Sequence, residues 1–250
     1  MIMKTFKQII ILISLSLIFA ACSEESADVD NSGEAGIGGS LARFTVANDH
    51  LYTVDEQQLR VFDITNSEKP EFVKEKYVGF GVETIFPKGN TLFLGTETGM
   101  YIYNIEQASS PVQLSFFEHI QACDPVVADE DQAYVTLSSS NQRCFRNVNE
   151  LQIVDISNLN NPQLEASYEM FSPLGLSVNN DTLYVCDDGI KVFDVSEPNN
   201  IEELFHFAQI KSRDVIYHDN KLLVIGEDGF HQFRIENDEL VKISELLIGQ

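Results

Sequence analysis

Asn180-Asp181-Thr182-Leu183-Tyr184-Val185 sets two turn-forming residues directly before an apolar strand. The same arrangement recurs at Asn48-Asp49, Gly89-Asn90, Glu130-Asp131 and Asp219-Asn220. The second members of these pairs lie 41, 41, 50 and 39 residues apart. A period of that size holds about four short strands, so the chain reads as a series of like units and not as one irregular domain. Residues of the Asn, Asp and Gly kind tolerate positive φ, which predicts a two-residue hairpin between the first and second strands of each unit.

Outward from each hairpin, a second turn cue (Glu97-Thr98-Gly99, Asp187-Asp188-Gly189, Glu227-Asp228-Gly229) leads into a third strand. That strand is the clearest block: Leu59 to Ile64, Met100 to Ile105, Leu151 to Ile156, Ile190 to Val195 and Phe230 to Ile235. Its apolar side chains fall on both faces, as expected of a sheet covered on both sides. In three copies an Asp is followed two residues later by Ser or Thr (Asp63 and Thr65, Asp155 and Ser157, Asp194 and Ser196), and a Pro follows at Pro70, Pro162 or Pro198. These residues end the strand and shape its outgoing turn. A weaker fourth strand closes each unit.

Four strands per repeat, with no useful helical periodicity, predict an all-β fold: a β-propeller of five four-stranded blades over residues 40–250. A lone four-stranded sheet cannot bury both faces, whereas radial stacking covers them with neighbours. If the ring closed by pairing the first and last segments in one blade, the boundaries would shift by one strand. A flat, unclosed repeat array is the second reading.

The block Leu151-Gln152-Ile153-Val154-Asp155-Ile156-Ser157-Asn158, running on to Asn161-Pro162, resembles the LVIVD repeat of bacterial surface and secreted proteins. The stretch from Cys123-Asp124-Pro125 through Ala133-Tyr134-Val135-Thr136-Leu137, with Cys144 and Cys186-Asp187, resembles LVIVD-type lipoproteins of Bacteroidetes. The resemblance implies a propeller-like fold and a surface location, and no established reaction. Blades two and five depart from the motif, with Asn104 and Arg234 in place of Asp.

The amino-terminal segment stands apart from the fold. Lys4 and Lys7 precede an apolar run from Ile9 to Phe19, and Phe19-Ala20-Ala21-Cys22 follows, which reads as a lipoprotein signal peptide over residues 1–21 with Cys22 as the lipid attachment site. The run is too short for an ordinary membrane-spanning helix. Residues 22–39 are acidic and rich in Gly and Ser, a flexible tether. Glu24 and Glu25 resemble the acidic export signals of Bacteroidetes surface lipoproteins. The expected location is therefore the outer membrane, with display at the cell surface and the periplasmic face as the alternative, and with the membrane as a partner through the lipid anchor.

The chain carries a formal charge of -23. Nucleic acid and anionic headgroups are poor partners for so acidic a protein, whereas neutral or cationic ligands suit it. Topology places Cys123 and Cys144 at the same end of blade three, and a disulfide between them would pin the insertion from Ser138 to Glu150. Cys186, near that end of blade four, competes for Cys144 and is otherwise a buried thiol.

The same end of the propeller is the expected ligand face, because beginnings of first strands and second-to-third turns meet there. It would carry Glu83, Asp124, Arg213 and, one step on, Arg43 and Asp214, with Arg143, Phe145 and Arg146 projecting from the insertion. Such a mixed-charge funnel suits a protein, peptide or glycan ligand. A glycan-directed hydrolase could use Glu83, Asp124 and Asp214 as axial carboxylates, yet the chain has no Trp on which to stack sugar rings. A purely structural envelope component is the third reading. No cofactor motif and no paired His spacing for a metal occurs: His50 and His218 flank hairpin turns and His231 lies within a strand. Asp-Asp-Gly at Asp187 and Glu-Asp-Gly at Glu227 are read as turns, not as calcium loops.

Overall fold

The computed structural model of the protein describes residues 38–120, 125–139, 148–236 and 239–248. They form twenty strands in five four-stranded antiparallel sheets, each built from four consecutive strands in sequence order. Blade one comprises β1 (Phe44–Ala47), β2 (His50–Val54), β3 (Gln58–Asp63) and β4 (Glu71–Tyr77). Blade two comprises β5 (Val82–Lys88), β6 (Thr91–Thr96), β7 (Gly99–Asn104) and β8 (Val112–Glu118). Blade three comprises β9 (Val126–Asp129), β10 (Gln132–Leu137), β11 (Glu150–Asp155) and β12 (Gln163–Glu169). Blade four comprises β13 (Leu176–Asn179), β14 (Thr182–Cys186), β15 (Ile190–Asp194) and β16 (Glu202–Phe207). Blade five comprises β17 (Ser212–His218), β18 (Lys221–Gly226), β19 (Gly229–Glu236) and β20 (Glu239–Leu247). The fold is therefore the expected five-bladed all-β propeller, and no blade mixes strands from the two ends of the chain.

Local chemistry sets each blade. Asn48 and Asp49 have φ of 51° and 56°, Asp219 and Asn220 of 50° and 57°, and Gly89 of 52°, the left-handed values a tight hairpin requires. At the end of the third strand, the Asp63 carboxylate accepts from Thr65 N at 2.9 Å and Thr65 Oγ1 at 2.6 Å, and Asp194 holds Ser196 in the same way. These side-chain bonds hold both carboxyls below their ordinary range. Asn104, where blade two departs from the motif, accepts from Glu106 N at 2.7 Å and so does the same work. Arg234 in blade five does not; it pairs with Glu236 at 2.6 Å. A bulge interrupts the pairing of third and fourth strands at one place in every blade, for instance between Ile153 and Val154, and bends the outer strand.

Four buried clusters glue the blades in succession. Tyr52, Leu59 and Val61 of blade one meet Ile85, Leu92 and Leu94 of blade two. Phe93, Met100 and Ile102 meet Val126, Ala133 and Val135, and the pattern repeats between blades three and four and between four and five. Among the described residues no such cluster joins blade five to blade one. Phe44 occupies the position of Ile85, Val126, Leu176 and Val215, all of them buried, yet it is 64% exposed. On the other side, Ile225 holds the place of buried Cys186 and is 47% exposed. The two outward faces of the array thus keep the apolar residue types of an inter-blade seam while standing open to solvent.

What ties blade one to blade five is polar. Ser40 Oγ donates to Asp214 Oδ1 at 2.9 Å and accepts from Leu176 N at 2.8 Å, so the segment before β1 bridges the starts of β17 and β13. Ser40 is fully buried. Gly39 and Gly175 are required there, since a Cβ on either would overlap the Asp214 carboxylate.

Candidate ligand-binding face

Second-to-third turns and first-strand starts do share one end of the blades, and three cavities open among these elements. Arg43 and Glu83, from the starts of blades one and two, line one cavity of about 390 Å³ together with Glu56, Phe80 and Glu97. Leu174 and Arg213, from blades four and five, line another of about 520 Å³ with Phe171, Lys211 and Glu227. A third, of about 530 Å³, adjoins the second through Ile210, Lys211 and Glu227 and runs on past Asp228, His231, Lys242 and Glu245. Arg213 stands 3.6 Å from Glu227, and both side chains are more than half exposed. The charges are mixed throughout, as a polar ligand with groups of both signs requires.

The candidate residues of the sequence are thus divided between separate cavities. Asp214 is placed differently: it is buried and accepts from Ser40 Oγ, from Leu41 N at 3.4 Å and from Val215 N at 3.0 Å. Burial pushes its carboxyl up to about 6, against the pull of those hydrogen bonds. Asp124, Arg143, Phe145 and Arg146 lie outside the described residues, as do Cys22, Cys123 and Cys144. Of the insertion, the described ends are pinned by Asn149, whose Oδ1 accepts from Ser139 N at 3.0 Å and whose Nδ2 donates to Phe171 O at 2.7 Å.

Two features of this end were not read from the sequence. Asp187, taken as a turn residue, is wholly buried; its carboxylate accepts from Phe171 N at 3.1 Å and pairs with Lys191 Nζ at 2.8 Å, fastening the loop from blade three onto blade four. His231, which the sequence places within a strand, sits with Nε2 2.8 Å from Asp228 Oδ1 and Nδ1 3.6 Å from Glu245 Oε2. Aligning the third strands column by column would have shown it, because the same column holds Arg60 and Lys191.

Cys186 is a free, buried thiol between blades four and five. Burial pushes it up to about 12, so almost no thiolate exists near neutrality. Native protein at pH 8 should leave Cys186 unalkylated by iodoacetamide over an hour-scale exposure, and urea should release it; peptide mapping that finds Cys186 modified in the folded protein would contradict this burial.

The LVIVD repeat family matches residues 146–170, a span that includes β11 and β12 of blade three, so the chain carries an LVIVD repeat. No curated protein matches the chain. Among solved structures, a functionally unknown protein from Desulfotomaculum acetoxidans is 12% identical with a TM-score of 0.59, the match covering 85% of this chain and 68% of that one. A candidate 6-phosphogluconolactonase from Bacteroides uniformis is 9% identical with a TM-score of 0.63, covering 82% and 70%. Apo AztD from Citrobacter koseri is 10% identical with a TM-score of 0.59, covering 80% of this chain and 61% of that one. At such identities the likeness is one of fold. The matched repeat lies in one of the five blades.

Proposed function

We propose that this protein is a lipid-anchored module of the outer membrane, displayed at the cell surface, which binds or scaffolds a protein, peptide or glycan on the end of the propeller where the second-to-third turns gather. The observation that carries the reading is the pair of adjoining mixed-charge cavities of about 520 and 530 Å³ at blades four and five. Both fall in the range of small-ligand sites, roughly 300 to 1,000 Å³. The anchor rests on Phe19-Ala20-Ala21-Cys22, and the stand-off from the bilayer on the acidic tether of residues 22–39. A formal charge of -23 disfavours contact with nucleic acid and with anionic headgroups, leaving the anchor as the means of membrane attachment. Exposed Arg43 and Arg213 and half-buried Glu83 are the ligand contacts of these cavities, while Asp214 holds the framework behind them.

Two measurements test this. Cells fed an alkynyl fatty acid should incorporate it into the protein and lose that label on Cys22→Ala, and protease added to intact cells should degrade the labelled protein. Capture from intact envelopes with the tethered protein as bait should then recover a saturable partner, reduced several-fold by Arg213→Ala. Absence of lipid label, or protection from protease until the outer membrane is opened, sinks the display reading; failure of any saturable partner to depend on this face sinks the binding reading.

A further inference from the structure

One position of the third strand holds a cation in blades one and four, where blades two and three have Tyr101 and Gln152. In blade one, Arg60 of β3 is bracketed by two carboxylates: its Nη1 lies 2.6 Å from Asp55 in the preceding turn, and its Nε 2.7 Å from Glu75 on β4. In blade four, Lys191 fills the same place and reaches Asp187 of its turn at 2.8 Å. Blade five keeps the bracket. Asp228 comes from the turn, and Glu245 faces His231 across β19 and β20 as Glu75 faces Arg60 across β3 and β4. The residue between them is now the shorter imidazole of His231. It satisfies Asp228 at 2.8 Å, but at 3.6 Å it falls short of a hydrogen bond to Glu245, which turns to Lys242 Nζ at 2.7 Å instead.

Beside this incompletely filled bracket lies the cavity of about 530 Å³, lined by Glu227, Asp228 and Glu245 together with the exposed ammonium of Lys211. We infer that this cavity receives a small zwitterion bearing a guanidinium or ammonium group, a free basic amino acid or the basic end of a peptide. Its cation is received by Asp228 and Glu245 from the cavity side of His231, where it takes the place of Lys242 Nζ at Glu245, and its carboxylate meets Lys211. Carboxylates and guanidinium match in planar, bidentate geometry, which makes this the strongest pairing the wall offers. The overall negative charge of the protein raises the local concentration of cationic ligands at its surface. The assignment rests on the reading of this end as the ligand face and names the ligand class for one of its cavities.

The test is titration calorimetry on the full-length lipoprotein in detergent micelles with L-arginine, with L-glutamate as the control of opposite charge. Saturable heat with L-arginine and none with L-glutamate is expected. His231→Arg, which rebuilds the arrangement of blade one inside blade five, should weaken L-arginine at least about tenfold by supplying the cation from within. His231→Lys, the residue of blade four, should do the same with an unchanged β-sheet circular dichroism spectrum, so that loss of folding is told apart from loss of the site. Absence of saturable L-arginine binding up to about 10 mM overturns the inference. Binding that both His231 variants leave intact overturns it too. If Arg213→Ala or Glu83→Gln removes L-arginine binding in place of the His231 variants, the ligand face stands and the cavity assigned to it falls.

Discussion

Ile85→Ala lowers the free energy of unfolding by about 3 kcal/mol, whereas Phe44→Ala, at the same position of the repeat, costs less than about 1 kcal/mol. Both residues lie on the first strand of a blade, the same number of residues before its hairpin, and Ile85 faces the blade before it. Ile85 is buried against Tyr52, Leu59 and Val61 of blade one, so its truncation removes apolar contact and leaves a cavity that close-packed neighbours fill only in part. Phe44 has no preceding blade against it and is already 64% exposed. Its loss in water is small, and the substitution even reduces an exposed apolar surface. Equilibrium urea unfolding of the two variants, with equal slopes against denaturant, decides the matter. Equal costs at the two positions would show that blade one is covered as the internal blades are, and that the open seam does not exist in solution.

That contrast also marks how far the sequence could be read. Hairpin residues, the Asp-x-Ser and Asp-x-Thr turns and the four-strand period were legible because each is enforced by neighbours within a few residues. Asn180 adopts φ of 49° through its own backbone preference, and Asp155 accepts from Ser157 N at 2.8 Å with nothing else needed. Seam closure is different in kind. Phe44 and Ile85 are both large and apolar, so the repeat reads the same whether or not a neighbour stands beside it. The candidate ligand face was legible only as an end of the blades, since loop topology fixes which turns gather there but not how their side chains divide among cavities. Arg43 and Glu83 fell together; Arg213 fell elsewhere; Asp214 turned toward Ser40, 174 residues away in sequence, a partner no local pattern announces. His231 was hidden for a further reason. Its role emerges from comparison with Arg60 and Lys191 in register, not from the residues on either side of it.

Acidification from pH 7.5 to pH 5 should stabilise the protein through Asp214 by about 1 kcal/mol, and Asp214→Asn should abolish that increment. The group titrates at about 6 in the folded protein against 3.8 for an ordinary Asp. Between those values the folded state holds the proton and the unfolded state does not, so stability falls as pH rises through the folded value. Above it, the carboxylate is held ionised in a buried site, at a cost of up to about 3 kcal/mol for a shift of this size. Why the fold keeps such a group follows from its partners. Ionised Asp214 accepts from Ser40 Oγ, Leu41 N and Val215 N, and through Ser40 it binds the segment before blade one to the start of blade five, which no apolar cluster among the described residues does. The strained carboxylate is therefore the tie between the two ends of the array, and asparagine, which accepts at Oδ1 in the same shape, keeps most of the tie without the charge. The comparison belongs between pH 4.5 and 7.5, because Asp63, Asp155 and Asp194, held low by their Thr and Ser partners, pull the other way only as pH falls below the ordinary carboxyl range. For a domain of this size an increment of about 1 kcal/mol moves the melting temperature by roughly 2–4 °C. Parallel melting curves of the parent and Asp214→Asn across that range, with no difference in slope, would mean that Asp214 is solvated and that Ser40 does not fasten the ends of the propeller together.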